Sequence, residues 1–129
     1  MEVDVSDKPQ ANMMPAMYSH SIHTIQMIGR ASGYALAIHG SMQRDLDIVA
    51  VPWTDKAVKP RKLVKRLCKQ LDLMFDPKRN PTKKPHGRLV WSLLFSSGGS
   101  GFMDLSVMPP TPKPNGEREI DGPSTFRND

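Results

Sequence analysis

Only seven residues, His39 to Asp45, separate the apolar parts of two strand-like runs, Tyr34-Ala35-Leu36-Ala37-Ile38 and Leu46-Asp47-Ile48-Val49-Ala50-Val51. Both runs have the length and composition of buried strands, and the second is rich in β-branched residues. A parallel crossover needs about a dozen residues or more. The two runs are therefore expected to form an antiparallel pair, with Gly40 and Ser41 in the connection. Asp45 and Asp47 are two apart, so on a strand both carboxylates point to one face. Two carboxylates held that close repel each other and raise each other's pKa. A shared proton or a cation relieves the repulsion. Magnesium suits the place, because it takes carboxylate oxygens and keeps positions open for phosphate oxygens.

The remaining chain extends this pair into one domain. Residues 1–13 read as a flexible arm. From about Pro15 to Ser32, Tyr18, Ile22, Ile25 and Ile28 recur at helical spacing, and Gly33 stands where a left-handed cap is expected. A second helix is expected from Pro60 to Met74, with Leu63, Val64, Leu67, Leu71 and Met74 as its apolar stripe and Pro60 in its first turn. Three prolines in the stretch Asp76–Pro85, Pro77, Pro81 and Pro85, predict a loop. His86–Phe95 reads as a third strand and Phe102–Val107 as a fourth, joined by a glycine-rich turn short enough to imply a hairpin. On the fourth strand Phe102, Asp104 and Ser106 fall on one face, and Met103, Leu105 and Val107 on the other. The five prolines from Pro109 onward predict a tail, 109–129, outside the core. The expected architecture is α+β over residues 14–108, in the order α-β-β-α-β-β. It would be a small mixed or antiparallel four-stranded sheet with two helices on one face.

Charge is unevenly placed. Residues 56–88 hold twelve basic and two acidic side chains, against three and six in residues 1–55 and three and five in residues 89–129. Such a basic segment suits a polyanion, either a nucleic-acid acceptor or nucleotide phosphates. The plainer alternative is a solvated face on the second helix, carrying Arg61, Lys62, Lys65, Arg66 and Lys69. No aromatic residue is interleaved with these charges, so base stacking is not evident. The single cysteine, Cys68, precludes an intramolecular disulfide and a cysteine zinc site, which points to a reducing, cytoplasmic setting. No apolar run approaches the roughly 20 residues of a membrane span, and the acidic N-terminus lacks a signal-peptide core. No membrane partner is expected.

The stretch Gly40-Ser41, then Asp45-Leu46-Asp47-Ile48, with Gly101-Phe102-Met103-Asp104-Leu105-Ser106-Val107 as a later strand, resembles the signature of the nucleotidyltransferase-fold superfamily (the DNA polymerase beta-like fold). That signature has Gly and Ser, a spacer, Asp-hydrophobic-Asp leading into a strand, and a third carboxylate from a later strand. The resemblance covers roughly residues 34–108 and suggests a compact member of the phage or bacterial type. Here the spacer is Met42-Gln43-Arg44, shorter than the family's usual one. The resemblance implies transfer of a nucleoside monophosphate from an NTP to a hydroxyl acceptor with two divalent ions, magnesium or manganese. Asp45, Asp47 and Asp104 would be the metal ligands and catalytic carboxylates. Asp104 would also be placed to draw the acceptor's proton. Gly40, Ser41 and Arg44 would contact the phosphates. The alternative on the same fold is a catalytically inactive nucleotide- or nucleic-acid-binding or inhibitory protein. For Asp45, Asp47 and Asp104 themselves, the plainer reading is a turn and a solvated sheet face. His20 and His23 lack a third ligand, and Ser97-Gly98-Gly99-Ser100-Gly101 lacks the lysine and following helix of a P-loop.

Overall fold

The computed structural model describes residues 13–95 and 101–111. Helix α1 spans Met13–Ser32, strand β1 Tyr34–His39, β2 Asp45–Pro52, helix α2 Pro60–Leu71, β3 Leu73–Met74, β4 Thr82–Lys83, β5 Leu89–Phe95 and β6 Phe102–Val107. The fold is α+β, with two helices and a mixed sheet ordered β1-β2-β6-β5-β3, and β4 also paired with β5. β2 and β6 run parallel, and the other pairs are antiparallel.

One periodicity builds the core. Leu46, Ile48 and Ala50 of β2, Met103, Leu105 and Val107 of β6, and Trp91, Leu93 and Phe95 of β5 are all buried. They join Tyr18 and Ile25 of α1 and Leu63, Val64 and Leu67 of α2 in a single cluster, so both helices cover the same face of the sheet. The alternate residues Asp45, Asp47, Val49, Ser92, Asp104 and Ser106 lie on the other face, exposed or half-buried. Burying one Leu, Ile or Phe contributes about 1.5–3 kcal/mol. A one-residue slip of β2 or β6 would exchange those side chains for aspartates, so the hydrophobic pattern itself fixes which way the carboxylates point.

Six strands replace the four expected, for local reasons. Helix α2 stops at Leu71 because Asp72 adopts the left-handed conformation (φ 57°) and its N–H donates to the Cys68 carbonyl. Leu73 and Met74 are thereby released from the helix to pair with Phe95 and Leu94. Pro81 and Pro85 flank Thr82-Lys83 rather than interrupt it, which leaves those two residues able to pair with Val90 and Leu89. The third predicted strand starts at Leu89, not His86, because Pro85–Gly87 forms a 3-10 turn with His86 at φ 67°. Met13 already belongs to α1, so the expected arm is a residue too long. The rest of that arm, 1–12, the turn residues 96–100 and the tail 112–129 lie outside the described residues. None of the described helices is long and apolar enough to cross a membrane.

Gly33 ends α1 as its position suggests. Its φ is +89°, and a Cβ there would stand 2.6 Å from Ala57 Cα. The corner is tied across the fold: Tyr34 donates its hydroxyl to the Val58 carbonyl at 2.6 Å, and Arg66 donates to Ser32 Oγ at 2.9 Å. Arg66 is thus committed to structure, unlike the exposed Arg61, Lys62, Lys65 and Lys69 around it.

Candidate functional site

Four polar positions line up across the open face of the sheet. His39 is opposite Asp47 on the β1–β2 pair, Asp47 opposite Asp104 on β2–β6, and Asp104 opposite Ser92 on β6–β5. Neighbouring strands are about 4.8 Å apart, so the carboxylates of Asp47 and Asp104 meet side by side. Asp45 opens β2 one pleat away, opposite Phe102. Its carboxyl feels the negative charges of Asp104 and Asp47.

The electrostatics follow from this crowding. Burial first, then the charges of Asp104 and Asp47, push the Asp45 carboxyl above its ordinary value, while Arg44 pulls the other way. Burial and Asp104 likewise push Asp47 up, partly offset by His39. The two paired aspartates are thus under strain from a third carboxylate, which is the condition that favours a bound cation or a held proton.

The surroundings are arranged to tolerate that crowding. Gly40 has φ +79°, and a Cβ on it would stand 2.6 Å from Asp47 Oδ2. The missing side chain is what lets the Asp47 carboxylate sit over the turn. Ser41 Oγ accepts the Gln43 N–H at 3.2 Å, closing the turn and leaving its own O–H to donate. Met42 takes φ 62° and packs against the core. The connection from Gly40 to Asp45 is therefore a tight turn with no helical residue in it. Arg44 is exposed at its end, and its carbonyl accepts the Tyr18 hydroxyl at 2.6 Å.

Tyr18 was legible in the sequence only as a core residue of α1. Its ring is buried against Phe95, and its hydroxyl reaches the point where β2 and β6 begin side by side. Burial, and then the charges of Asp45, Asp104 and Asp47, raise its pKa, with the Phe102 backbone acting against them. Ser92 and Asn80 were not anticipated. Ser92 Oγ donates to Asp104 Oδ1 at 3.0 Å, and Asn80 Oδ1 accepts the Ser92 N–H at 2.7 Å. Asn80 thereby fills the gap that β3 and β4 leave along the edge of β5. The only advance signal for Ser92 was a lone polar residue in an apolar strand.

The basic segment splits in two. Arg61, Lys62, Lys65 and Lys69 project outward from α2, on the side of the sheet opposite the carboxylates. Arg79, Lys83 and Lys84 lie exposed at the β5 edge, and Arg88 donates to Ser106 Oγ at 3.0 Å on the carboxylate face. Cys68 is half-buried, its thiol pushed up to about 11 by burial, so it is not a thiolate nucleophile. His20 and His23 are exposed on α1.

In chemical type the donor set fits a hard divalent cation: three carboxylates, mutually repelling, on one face. Among the described residues no group of three or more His, Cys, Asp or Glu side chains is already posed as a coordination set. The carboxylates are a cluster only partly offset by Arg44 and His39, rather than a finished cage. The chain matches no protein-family model and no curated protein.

A pH dependence follows. A carboxyl whose folded pKa is raised binds its proton more tightly in the folded state than in the unfolded one. Its contribution favours folding at low pH, and is lost as pH rises through the ordinary carboxylate value, about 4, to the raised one. Without divalent ions, the difference in Tm between the parent and an Asp45→Asn/Asp47→Asn variant is expected to be near zero below that window. Above it the variant should become the more stable. Magnesium at about ten times its Kd should return about 1.4 kcal/mol to the parent alone. Thermal unfolding over a pH series, with chelator and with magnesium, checks both signs.

Proposed function

We propose that the chain is a nucleotidyltransferase-like domain that transfers a nucleoside monophosphate from an NTP to a hydroxyl acceptor. The observation that carries this reading is the pairing of Asp47 with Asp104 on adjacent parallel strands, with Asp45 electrostatically coupled to both. The order of parts along the chain also supports it: a Gly-Ser turn, a strand opening on two aspartates, then a later neighbouring strand with a third. Asp45, Asp47 and Asp104 would hold magnesium or manganese. When bound, the ions supply the positive charge that neutralises the triphosphate and the charge developing in the transition state.

The chain's own residues do the rest. Gly40 gives the Asp47 carboxylate its place over the turn, and Ser41 and Arg44 offer the phosphates donors at the turn's exposed rim. Asp104, steadied by Ser92, accepts the proton of the acceptor hydroxyl as its oxygen attacks the α-phosphorus and pyrophosphate leaves. A second reading is a nucleotide- or nucleic-acid-binding protein on the same fold with no turnover. It is favoured by the tight turn at residues 41–44, which supplies no helix N-terminus for the phosphates.

The test is incubation of the full chain with each labelled NTP, magnesium or manganese, and a panel of hydroxyl acceptors. Pyrophosphate release is expected. Its absence with every NTP and acceptor, together with nucleotide binding that Asp47→Asn leaves unchanged, would establish the second reading instead.

A further inference from the structure

On the open face, on the far side of Asp104 from the Gly40–Ser41 turn, lies a cleft of about 500 Å³. Val90, Ser92 and Leu94 of β5 and Phe102 of β6 form its floor, and the segment from Met74 to Thr82 forms its walls. Met74 is 53% exposed and Phe102 43%, which places apolar surface in solvent beside a polar site. The polar wall groups are turned toward one another. Arg79 Nε lies 3.6 Å from Asp76 Oδ2, and Asp76 Oδ1 accepts the Lys78 N–H at 2.9 Å. Asn80 donates to the Asp76 carbonyl at 3.0 Å while accepting from Ser92. Asp76 and Arg79, the two charged groups of the lining, face each other, while Lys78, Lys83 and Lys84 are exposed on the adjoining segments and are not among the lining residues, so the floor of the cleft itself offers a polyanion no free cation. The volume suits one drug-sized molecule held mainly by apolar contact.

The cleft and the carboxylates touch through the Ser92–Asp104 hydrogen bond. Across the sheet the order is the Gly40–Ser41 turn, Asp47, Asp104, Ser92 and then the cleft. If the phosphates lie at the turn, the attacking molecule comes from the opposite side, past the group that takes its proton. We infer that this cleft is the acceptor pocket, and that the acceptor is a neutral alcohol with a largely apolar body rather than a nucleic-acid strand. The inference rests on the nucleotidyl-transfer reading above. In the step, the alcohol oxygen forms a bond to the α-phosphorus, the bond from that phosphorus to the β-phosphate oxygen breaks, pyrophosphate departs, and the hydroxyl proton passes to Asp104.

The test uses amide NMR of the full chain with naphthylmethanol as probe, and naphthoate and a polyuridylate oligomer as comparators. Without metal, naphthylmethanol is expected to shift Ser92, Leu94 and Phe102 together, with naphthoate weaker and polyuridylate silent at those positions. Leu94→Lys should weaken the alcohol by about tenfold or more, equivalent to about 1.4 kcal/mol. Phe102→Ser, at a position already exposed, gives the same reading should Leu94→Lys fail to fold. With manganese added, the hydroxymethyl protons of the bound alcohol should relax faster than its ring protons. Scattered shifts, affinity unchanged in both variants, polyuridylate binding at these residues, or faster relaxation of the ring end would each overturn the assignment. Manganese that fails to broaden Asp47 and Asp104 without alcohol would overturn the nucleotidyl-transfer reading itself, and the acceptor role with it. Alcohol binding at the cleft in that case separates this failure from failure of the pocket.

Discussion

Asp47→Asn is expected to abolish pyrophosphate release while making the protein harder to unfold. The activity loss should be on the order of a thousandfold or more, as for removal of a group that acts on developing charge. The stability gain should be roughly 0.5–1 kcal/mol at neutral pH without divalent ions, a few degrees in Tm. Both follow from one placement. Asp47 stands on the open face opposite Asp104, and burial and that neighbouring charge raise its pKa. Removing its charge relieves repulsion in the folded state. An aspartate kept merely as a solvated surface residue would give neither effect. Denaturant or thermal unfolding beside a pyrophosphate assay on the same preparation checks the pair, and a variant that loses stability along with activity would refute it.

Gly40→Ala is expected to lose activity with the opposite sign in stability. The residue has φ +79°, where alanine costs about 1 kcal/mol, and the new Cβ would stand 2.6 Å from Asp47 Oδ2. That oxygen ends a short side chain, so the carboxylate swings aside and the turn itself persists. Displacement of a reacting group by about 1 Å can cost about a hundredfold in rate. Pyrophosphate release should fall by about that factor, with stability down by about 1 kcal/mol. In the Gly40→Ala/Asp47→Ala pair the steric part of the stability cost should disappear, because the clashing oxygen is gone. A double-mutant cycle on unfolding free energy measures that coupling. Additive costs would mean that Gly40 serves only its own backbone angle.

Much of this arrangement was readable from the residues. The seven-residue gap forced an antiparallel β1–β2 pair, and alternation along Phe102–Val107 alone separated Asp104 from Met103 and Leu105. The hydrophobic pattern sets register, and register sets where the three aspartates point. Strands of two residues carry no such pattern. Met74 closed the apolar stripe expected for the second helix, and only the left-handed turn at Asp72 and the partners on β5 make Leu73-Met74 a strand. Ser92 and Asn80 were out of reach for the same reason: their roles arise from contacts between segments 12 residues apart, which local spacing does not encode. The twelve basic side chains of residues 56–88 read as one block, yet the helix carries some of them to the face opposite the carboxylates. Sequence adjacency did not imply a common surface.

Manganese binding followed by electron paramagnetic resonance tests the central claim most directly, since it asks whether the three aspartates act as one cation site before any substrate is chosen. The parent chain should take up one or two manganese ions. Asp104→Asn should lose them while keeping its fold by circular dichroism, because it removes one carboxylate and no core contact. Manganese binding that is equal in parent and variant, or absent from both, would contradict the account.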